Sequence, residues 1–150
     1  LRDGKITTLT EQMTGVYSNL ALPVKAGGPL LLANWESAAH PLEVVRFNLN
    51  TRQHMPLSSF NSERAEQLDL PPLRHFSFTS KLGRPIHNML VLPPNFDENK
   101  KYPLFVVIHG GPHSQWRDQF VLRWNYHLLA APGYVVTWVN RHGSTGFGEN

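Results

Sequence analysis

The residues with the clearest chemical potential are His109-Gly110-Gly111-Pro112, which follow directly on Leu104-Phe105-Val106-Val107-Ile108, a run that is apolar at every position. Two glycines at the carboxyl end of a strand let the backbone approach a ligand closely and turn its N–H groups inward, the arrangement that stabilises a developing oxyanion. The same residues also suit a tight strand-to-helix turn in which glycine serves geometry alone. His109 and His113, four apart, have the spacing of a zinc pair. That spacing works when both imidazoles project from a helix, and Gly110-Gly111-Pro112 between them opposes one. The glutamate that would follow the first histidine as general base is missing too, so no metal site is expected. His40, His54, His75, His87 and His127 are dispersed singly and read as structural or surface residues.

A second polar run, His142-Gly143-Ser144-Thr145-Gly146-Phe147-Gly148, lacks both the P-loop pattern and the dinucleotide glycine spacing. A nucleophile elbow needs glycine two residues before its serine and a helix directly after it. Before Ser144 that place is held by His142, and Thr145-Gly146-Phe147-Gly148 gives no helix start. Ser144 therefore reads as structural rather than nucleophilic.

Both loops need a scaffold. From Leu1 to about Leu70 the chain shows short β-prone stretches, at Lys5 to Thr10, Val16 to Leu22, Leu30 to Asn34 and Leu42 to Leu49, with breaks at Gly27-Gly28-Pro29 and Asn48 to Arg52. A faint internal echo places Leu9-Thr10 on Leu57-Ser58, and Leu20, Leu22 and Pro23 on Leu68, Leu70 and Pro71, at a shared offset of 48 positions. Propeller blades recur at roughly 40–50 residues, and a small β-sandwich fits the same stretch equally well. Pro71-Pro72 marks a boundary, since proline cannot donate to a central ladder.

Beyond it, Phe76 and Phe78 alternate with polar residues, and a Lys81 to Pro85 turn leads into Ile86 to Leu92, which predicts a hairpin. The run Leu104 to Ile108 predicts a strand buried on both faces, inside a parallel sheet. Phe120, Trp124, Leu128 and Ala131 recur at helical spacing up to Pro132-Gly133, and Tyr134 to Val139 is again strand-like. Strand, helix and strand make a βαβ unit, whose ligands gather at the carboxyl ends of its strands. Those ends are the loops His109 to Asp118 and Asn140 to Asn150.

Composition narrows the function classes. The chain of 150 residues has no cysteine, which removes disulfides, thiol nucleophiles and thiolate metal sites. Its net charge of +3 comes from scattered basic residues, which argues against a nucleic-acid footprint. No apolar run approaches the roughly 20 residues of a membrane-spanning helix, and no signal peptide is visible at Leu1. A start at Leu1 without methionine, and a stop at Asn150 after a glycine-rich run, lead us to expect an internal piece of a longer protein, so the compartment stays open.

Taken together, Tyr102-Pro103-Leu104, His109-Gly110-Gly111-Pro112-His113-Ser114-Gln115-Trp116, Arg123-Trp124-Asn125, Ala130-Ala131-Pro132-Gly133-Tyr134-Val135-Val136 and Gly143-Ser144-Thr145-Gly146-Phe147-Gly148 resemble the prolyl oligopeptidase class of serine peptidases. The likeness is to the bacterial dipeptidyl-peptidase and acylaminoacyl-peptidase branch, and it runs from about Leu73 to the end with a looser fit before. It implies the last blade or blades of an all-β propeller over residues 1–70, and the first part of an α/β-hydrolase sheet over residues 71–150. It further implies oligopeptide substrates and no cofactor. By the same resemblance Gly111 donates its N–H to the oxyanion in the loop with His109 and Gly110. His109 stands where some relatives place a tyrosine that helps hold that charge, which leaves the larger share to the backbone. The nucleophilic serine, aspartate and histidine of such enzymes lie further along and are not in this chain, so the piece alone is expected to be inactive. One departure is visible: relatives carry Asn-x-Arg-Gly before the Ser-Thr-Gly run, whereas here the order is Asn140-Arg141-His142-Gly143. The alternatives are an esterase of the same fold, or a non-catalytic interaction protein with a decayed hydrolase core. Oligomeric state is not legible.

Overall fold

The computed structural model describes residues 4, 7–10, 14–23 and 28–147. Within them the chain forms two four-stranded sheets. The first is an antiparallel meander of β1 (Val16–Ala21), β2 (Leu30–Ser37), β3 (His40–Asn48) and β4 (Gln53–Pro56) in that order. The expected strand at Lys5 to Thr10 falls partly outside the described residues, and Thr7 to Thr10 are not in a strand. Two elements escaped the sequence reading. β4 is too short and polar to signal itself, and helix α1 (Ser62–Glu66) buries none of its residues. The echo between the two stretches has no structural counterpart, because Leu20 lies in β1 whereas Leu68 follows α1 outside any strand.

Turn chemistry explains the meander. Ala38-Ala39 make the tight link between β2 and β3, with Ser37 paired to His40. The β3–β4 turn is built by Asn48, whose Oδ1 accepts the N–H groups of Asn50 and Thr51 at 2.9 and 3.1 Å, an Asx turn that lets Arg52 adopt φ +56°. Inside the sheet, Val45 and Phe47 are buried, and the Tyr17 ring meets Phe47 edge-on at 5.7 Å.

The second sheet comprises β5 (Arg74–Thr79), β6 (Pro85–Val91), β7 (Leu104–Ile108) and β8 (Val135–Asn140), in the order β5-β6-β8-β7. β5, β6 and β8 pair antiparallel, and β7 joins β8 in parallel. The expected hairpin is present: Ser80 accepts the Gly83 N–H at 2.9 Å, and Gly83 takes the positive φ of +73° that the turn requires. Its core gathers Leu73, Met89, Val91, Ala130, Val136, Trp138 and Tyr126, the last two with rings 4.2 Å apart. Each such fully buried large apolar side chain contributes roughly 1.5–3 kcal/mol. Ala38, from the β2–β3 turn of the first sheet, belongs to the same cluster.

Two expectations are corrected here. Within the described residues β7 lies at the edge of the sheet rather than inside it, with Leu104, Phe105, Val106 and Ile108 between 41% and 74% exposed. It has β8 on one side only, and the short helix α2 (Tyr126–Ala130) packs against β8 and β6 instead. The helix expected from Phe120 onward is also confined to those five residues. Trp124 sits at φ +59°, which ends any right-handed helix, and Asn125 caps the new start by accepting the Leu128 N–H at 3.0 Å. The buried face is Tyr126, His127 and Ala130, while Leu128 points to solvent. No helix of the described residues is long and apolar enough to cross a membrane.

Glu43 is a buried carboxylate inside the first sheet. Its Oε1 accepts the Asn61 N–H at 2.7 Å, and its other oxygen accepts the Ser58 hydroxyl, which itself accepts the Val44 N–H at 2.8 Å. Burial alone would push the carboxyl up, but the Ser58 and Asn61 donors outweigh it and hold the group below the ordinary glutamate value. A depressed folded pKa adds stability above the unfolded pKa, and that stability is lost as pH falls through the folded value. Glu43→Gln is therefore expected to be less stable than wild type at neutral pH by about 1–2 kcal/mol. The gap should narrow below the ordinary glutamate pKa of about 4.3. Urea unfolding over a pH series checks this, and a gap that stays constant with pH contradicts it.

Candidate functional site

β7 delivers His109 to the carboxyl edge of the second sheet, where a cavity of ≈ 520 Å³ is lined by the β7 side chains, His109, Gly110, Gly111, Ser114, Gln115, Trp116 and Trp124. Gly111 adopts φ +88°, a conformation in which a β-carbon is strained, and one added there would lie in van der Waals contact with the Ser114 β-carbon at 3.4 Å. A β-carbon at Gly110 would meet nothing within 4 Å. Among the described residues neither glycine N–H has a hydrogen-bond acceptor, and both residues are exposed. Two unsatisfied donors at the end of a parallel strand, beside an apolar hollow, are suited to receiving a ligand oxygen that carries negative charge.

His109 has a different task. It is buried, its Nδ1 lies 3.1 Å from the Gly110 carbonyl, and its Nε2 lies 3.2 Å from Arg141 Nη1. The same Nη1 lies 3.4 Å from Nδ1, so the guanidinium sits beside both ring nitrogens. Both ring nitrogens are thus occupied inside the loop. Arg141 Nη2 also donates to the Pro112 carbonyl at 2.8 Å. The displaced arginine, whose partner could not be read from the sequence, therefore clasps the glycine loop from both sides.

Asn140, the last residue of β8, completes the frame. Its Oδ1 accepts the Trp116 N–H at 2.8 Å and its Nδ2 donates to the Trp116 carbonyl at 2.9 Å, so one amide closes both backbone groups of one residue. The Thr145 N–H donates to the His113 carbonyl at 2.8 Å, tying the second loop to the first. Gly146 lies beside the Gln115 side chain, whose Oε1 would be 2.9 Å from a β-carbon added there. Asn140 was absent from the sequence candidates because a strand-end asparagine carries no spacing signal of its own.

Ser144 is buried and its hydroxyl has no hydrogen-bond partner, hence no imidazole to accept its proton. It lies before a single 3-10 turn over Thr145–Phe147, where no helical turn was expected. Gly148 and the residues after it lie outside the described residues. His113 is exposed and unpaired with His109, and no cluster of three or more metal-ligating side chains occurs among the described residues.

Four of the five histidines dispersed in sequence meet other rings in the fold. His75 and His87 stack with Nδ1 and Nε2 3.1 Å apart, and burial followed by His75 holds the His87 pKa below its ordinary value. His40 and His54 flank Trp35 at ring distances of 5.3 and 4.6 Å. The Tyr17 hydroxyl lies 2.6 Å from His54 Nδ1, with burial pushing the phenol up to about 12. His127 Nε2 reaches the Pro71 carbonyl at 2.7 Å.

No family model matches the chain. A probable dipeptidyl-peptidase 5 from Aspergillus clavatus is 53% identical to it over 64 residues, 43% of this chain and 9% of that protein. Over that stretch the chain is similar to serine peptidases of the prolyl oligopeptidase class. Solved peptidase structures share its fold. The acylaminoacyl peptidase of Pyrococcus horikoshii superposes with a TM-score of 0.75 at 24% identity, covering 96% of this chain and 21% of its own. Dipeptidyl peptidase 4 of Porphyromonas gingivalis does so with 0.64 at 24% identity, covering 92% and 20%. The chain thus spans a small part of the length of the relatives it matches.

The Asn140 clamp can be tested directly. Asn140→Asp keeps an acceptor for the Trp116 N–H but loses the donor and sets a carboxylate against the Trp116 carbonyl. In so buried a position the loss is expected to be about 2–3 kcal/mol. Thermal unfolding measures it, and an unchanged Tm contradicts the clamp.

Proposed function

We propose that the whole protein is a serine-type peptidase that releases short units from oligopeptides by acyl transfer, and that this chain supplies its oxyanion-hole loop. The observation that carries the reading is the pair of acceptor-free N–H groups at Gly110 and Gly111, held at the carboxyl end of a parallel strand by Asn140 and Arg141. On this reading residues 1–70 are the end of a β-propeller, with β1 to β4 as a blade, and residues 71–150 open an α/β-hydrolase domain. The order β5-β6-β8-β7 supports the second assignment, because it places one parallel pair beside an antiparallel lead-in and puts the glycine loop at the edge of that pair. Names of the relatives, dipeptidyl-peptidase and acylaminoacyl peptidase, favour substrates cut near a free or acylated amino end.

In the proposed reaction a serine outside this chain attacks the scissile carbonyl while a histidine takes its proton. The carbonyl oxygen becomes an oxyanion, which the Gly111 N–H meets without reorganising, since Gly111 already holds φ +88°. His109 positions rather than donates, because its nitrogens bind Gly110 and Arg141. The hollow beside it presents apolar side chains of Phe105, Val107 and Trp116.

Two variants of the whole protein, assayed on dipeptidyl and acyl-aminoacyl amides, test the reading. Gly111→Pro deletes the N–H and is closed to φ +88°, so kcat is expected to fall by about 100- to 1,000-fold or more. Ser144→Ala is expected to keep wild-type turnover, because its hydroxyl touches no base. Full turnover in the proline variant removes Gly111 from the mechanism, and lost turnover in the alanine variant with an unchanged Tm makes Ser144 a participant.

A further inference from the structure

The loop that carries Gly110 and Gly111 ends in a carboxylate that leaves its own sheet. Asp118 Oδ2 accepts the Gly15 N–H at 2.8 Å, and its Oδ1 accepts the Ala38 N–H at 2.7 Å. These donors lie 103 and 80 positions away, one just before β1 and the other in the β2–β3 turn, so one side chain closes two separate points of the first sheet. A reciprocal contact runs the other way: Glu36, in β2, accepts the Phe120 N–H at 3.0 Å through Oε2. Each sheet thus offers a carboxylate to the backbone of the other.

Several observations mark this as a built contact. Neither carboxylate has a cation partner, as Lys100–Asp97 is the only ion pair among the described residues, so their charge is balanced by backbone donors alone. Charged acceptors make such hydrogen bonds about twice as strong as neutral ones. Gly15 is required at its place, because it holds φ +86° and a β-carbon there would lie 2.3 Å from the Glu36 carbonyl oxygen. Ala38, whose N–H is held by Asp118, buries its methyl group in the core of the second sheet beside Trp138 and Tyr126. The Tyr126 hydroxyl donates to the Arg117 carbonyl at 2.7 Å, fixing the residue before Asp118, and burial followed by the negative Asp118 keeps that phenol well above its ordinary value.

We propose that Asp118 is a positioning residue, a latch that fixes the far end of the His109 to Asp118 loop to the first sheet and so makes the placement of the Gly110 and Gly111 N–H groups depend on how the two sheets sit together. Asn140 and Arg141 hold the near side of the loop from β8, and Asp118 holds the far side from β1 and the β2–β3 turn. With the latch open, Trp116 and His113 keep their β8-side partners but lose the restraint that limits how far they swing. The effect on catalysis rests on the oxyanion-hole reading, whereas the latch itself does not.

The test is hydrogen exchange followed by mass spectrometry on the whole protein, with Asp118→Asn, which keeps the shape but removes the charge and one acceptor, and Asp118→Ala. Exchange at Gly15 and Ala38 is expected to rise by roughly tenfold or more in either variant. The Trp116 and Thr145 amides, which report the loop, should follow, while Val44, held by Ser58 in the first sheet, stays protected. On a peptide amide, kcat is expected to fall about tenfold with KM near wild type, the signature of a lost transition-state contact. If Asp118→Ala does not fold, Asp118→Asn carries the comparison. Unchanged exchange at Gly15 and Ala38 overturns the latch. Faster exchange there, with Trp116, Thr145 and kcat at wild-type values, overturns the positioning role. A wild-type protein that hydrolyses no peptide amide overturns the proposed activity alone, because the exchange readings decide the latch without it.

Discussion

The Asn140 amide ends β8 and holds both backbone groups of Trp116, and everything chemical in the structure follows from that closure. Glycines with free N–H groups have no side chains to fix them, so any order in Gly110 and Gly111 has to be imposed by their neighbours. The parallel pairing of β7 with β8 brings the strand ends side by side, and Asn140 then converts that proximity into a fixed distance between the two loops. Arg141 adds the clasp on Pro112 and His109, and Thr145 adds the bond to His113. Without the first closure, the remaining contacts would hold a loop free to pivot.

Much of this scaffold was legible in the sequence wherever a local pattern determined it. Alternating Phe76 and Phe78, the turn glycine Gly83 and the apolar run at Leu104 located β5, β6 and β7, because a period of two and a positive-φ turn are local properties. What covers the far side of β7 was not legible, since apolar content says that a strand suits a buried place, not which neighbours cover it. The helix was misread for a related reason. Phe120, Trp124 and Leu128 have the right spacing, yet the left-handed Trp124 and the Asn125 cap restart the chain, and the residues facing the core are Tyr126, His127 and Ala130.

The site shows the same division. The glycine loop could be named from residue types alone, and Ser144 could be set aside from the missing glycine two places before it. The residues that hold the loop could not be named, because Asn140, Arg141 and Asp118 act across 24 to 103 positions of sequence. Arg141 illustrates the limit. Its shift by one position relative to related sequences left its partner open, and the fold supplies one in Pro112 and His109. Histidines that are isolated in sequence form pairs in space, His75 with His87 and His40 with His54 around Trp35, since cross-strand neighbours are invisible to any one-dimensional pattern.

The central claim is that the Gly111 N–H meets developing negative charge, and it is tested most directly by a crystal structure of the whole protein with a peptide aldehyde bound as a tetrahedral adduct. The account predicts the adduct oxygen at about 2.7–3.1 Å from the Gly111 nitrogen, with Asn140 and Arg141 in their present contacts. An adduct whose oxygen is held by other donors, with the Gly111 N–H turned to solvent or to another protein group, would contradict it.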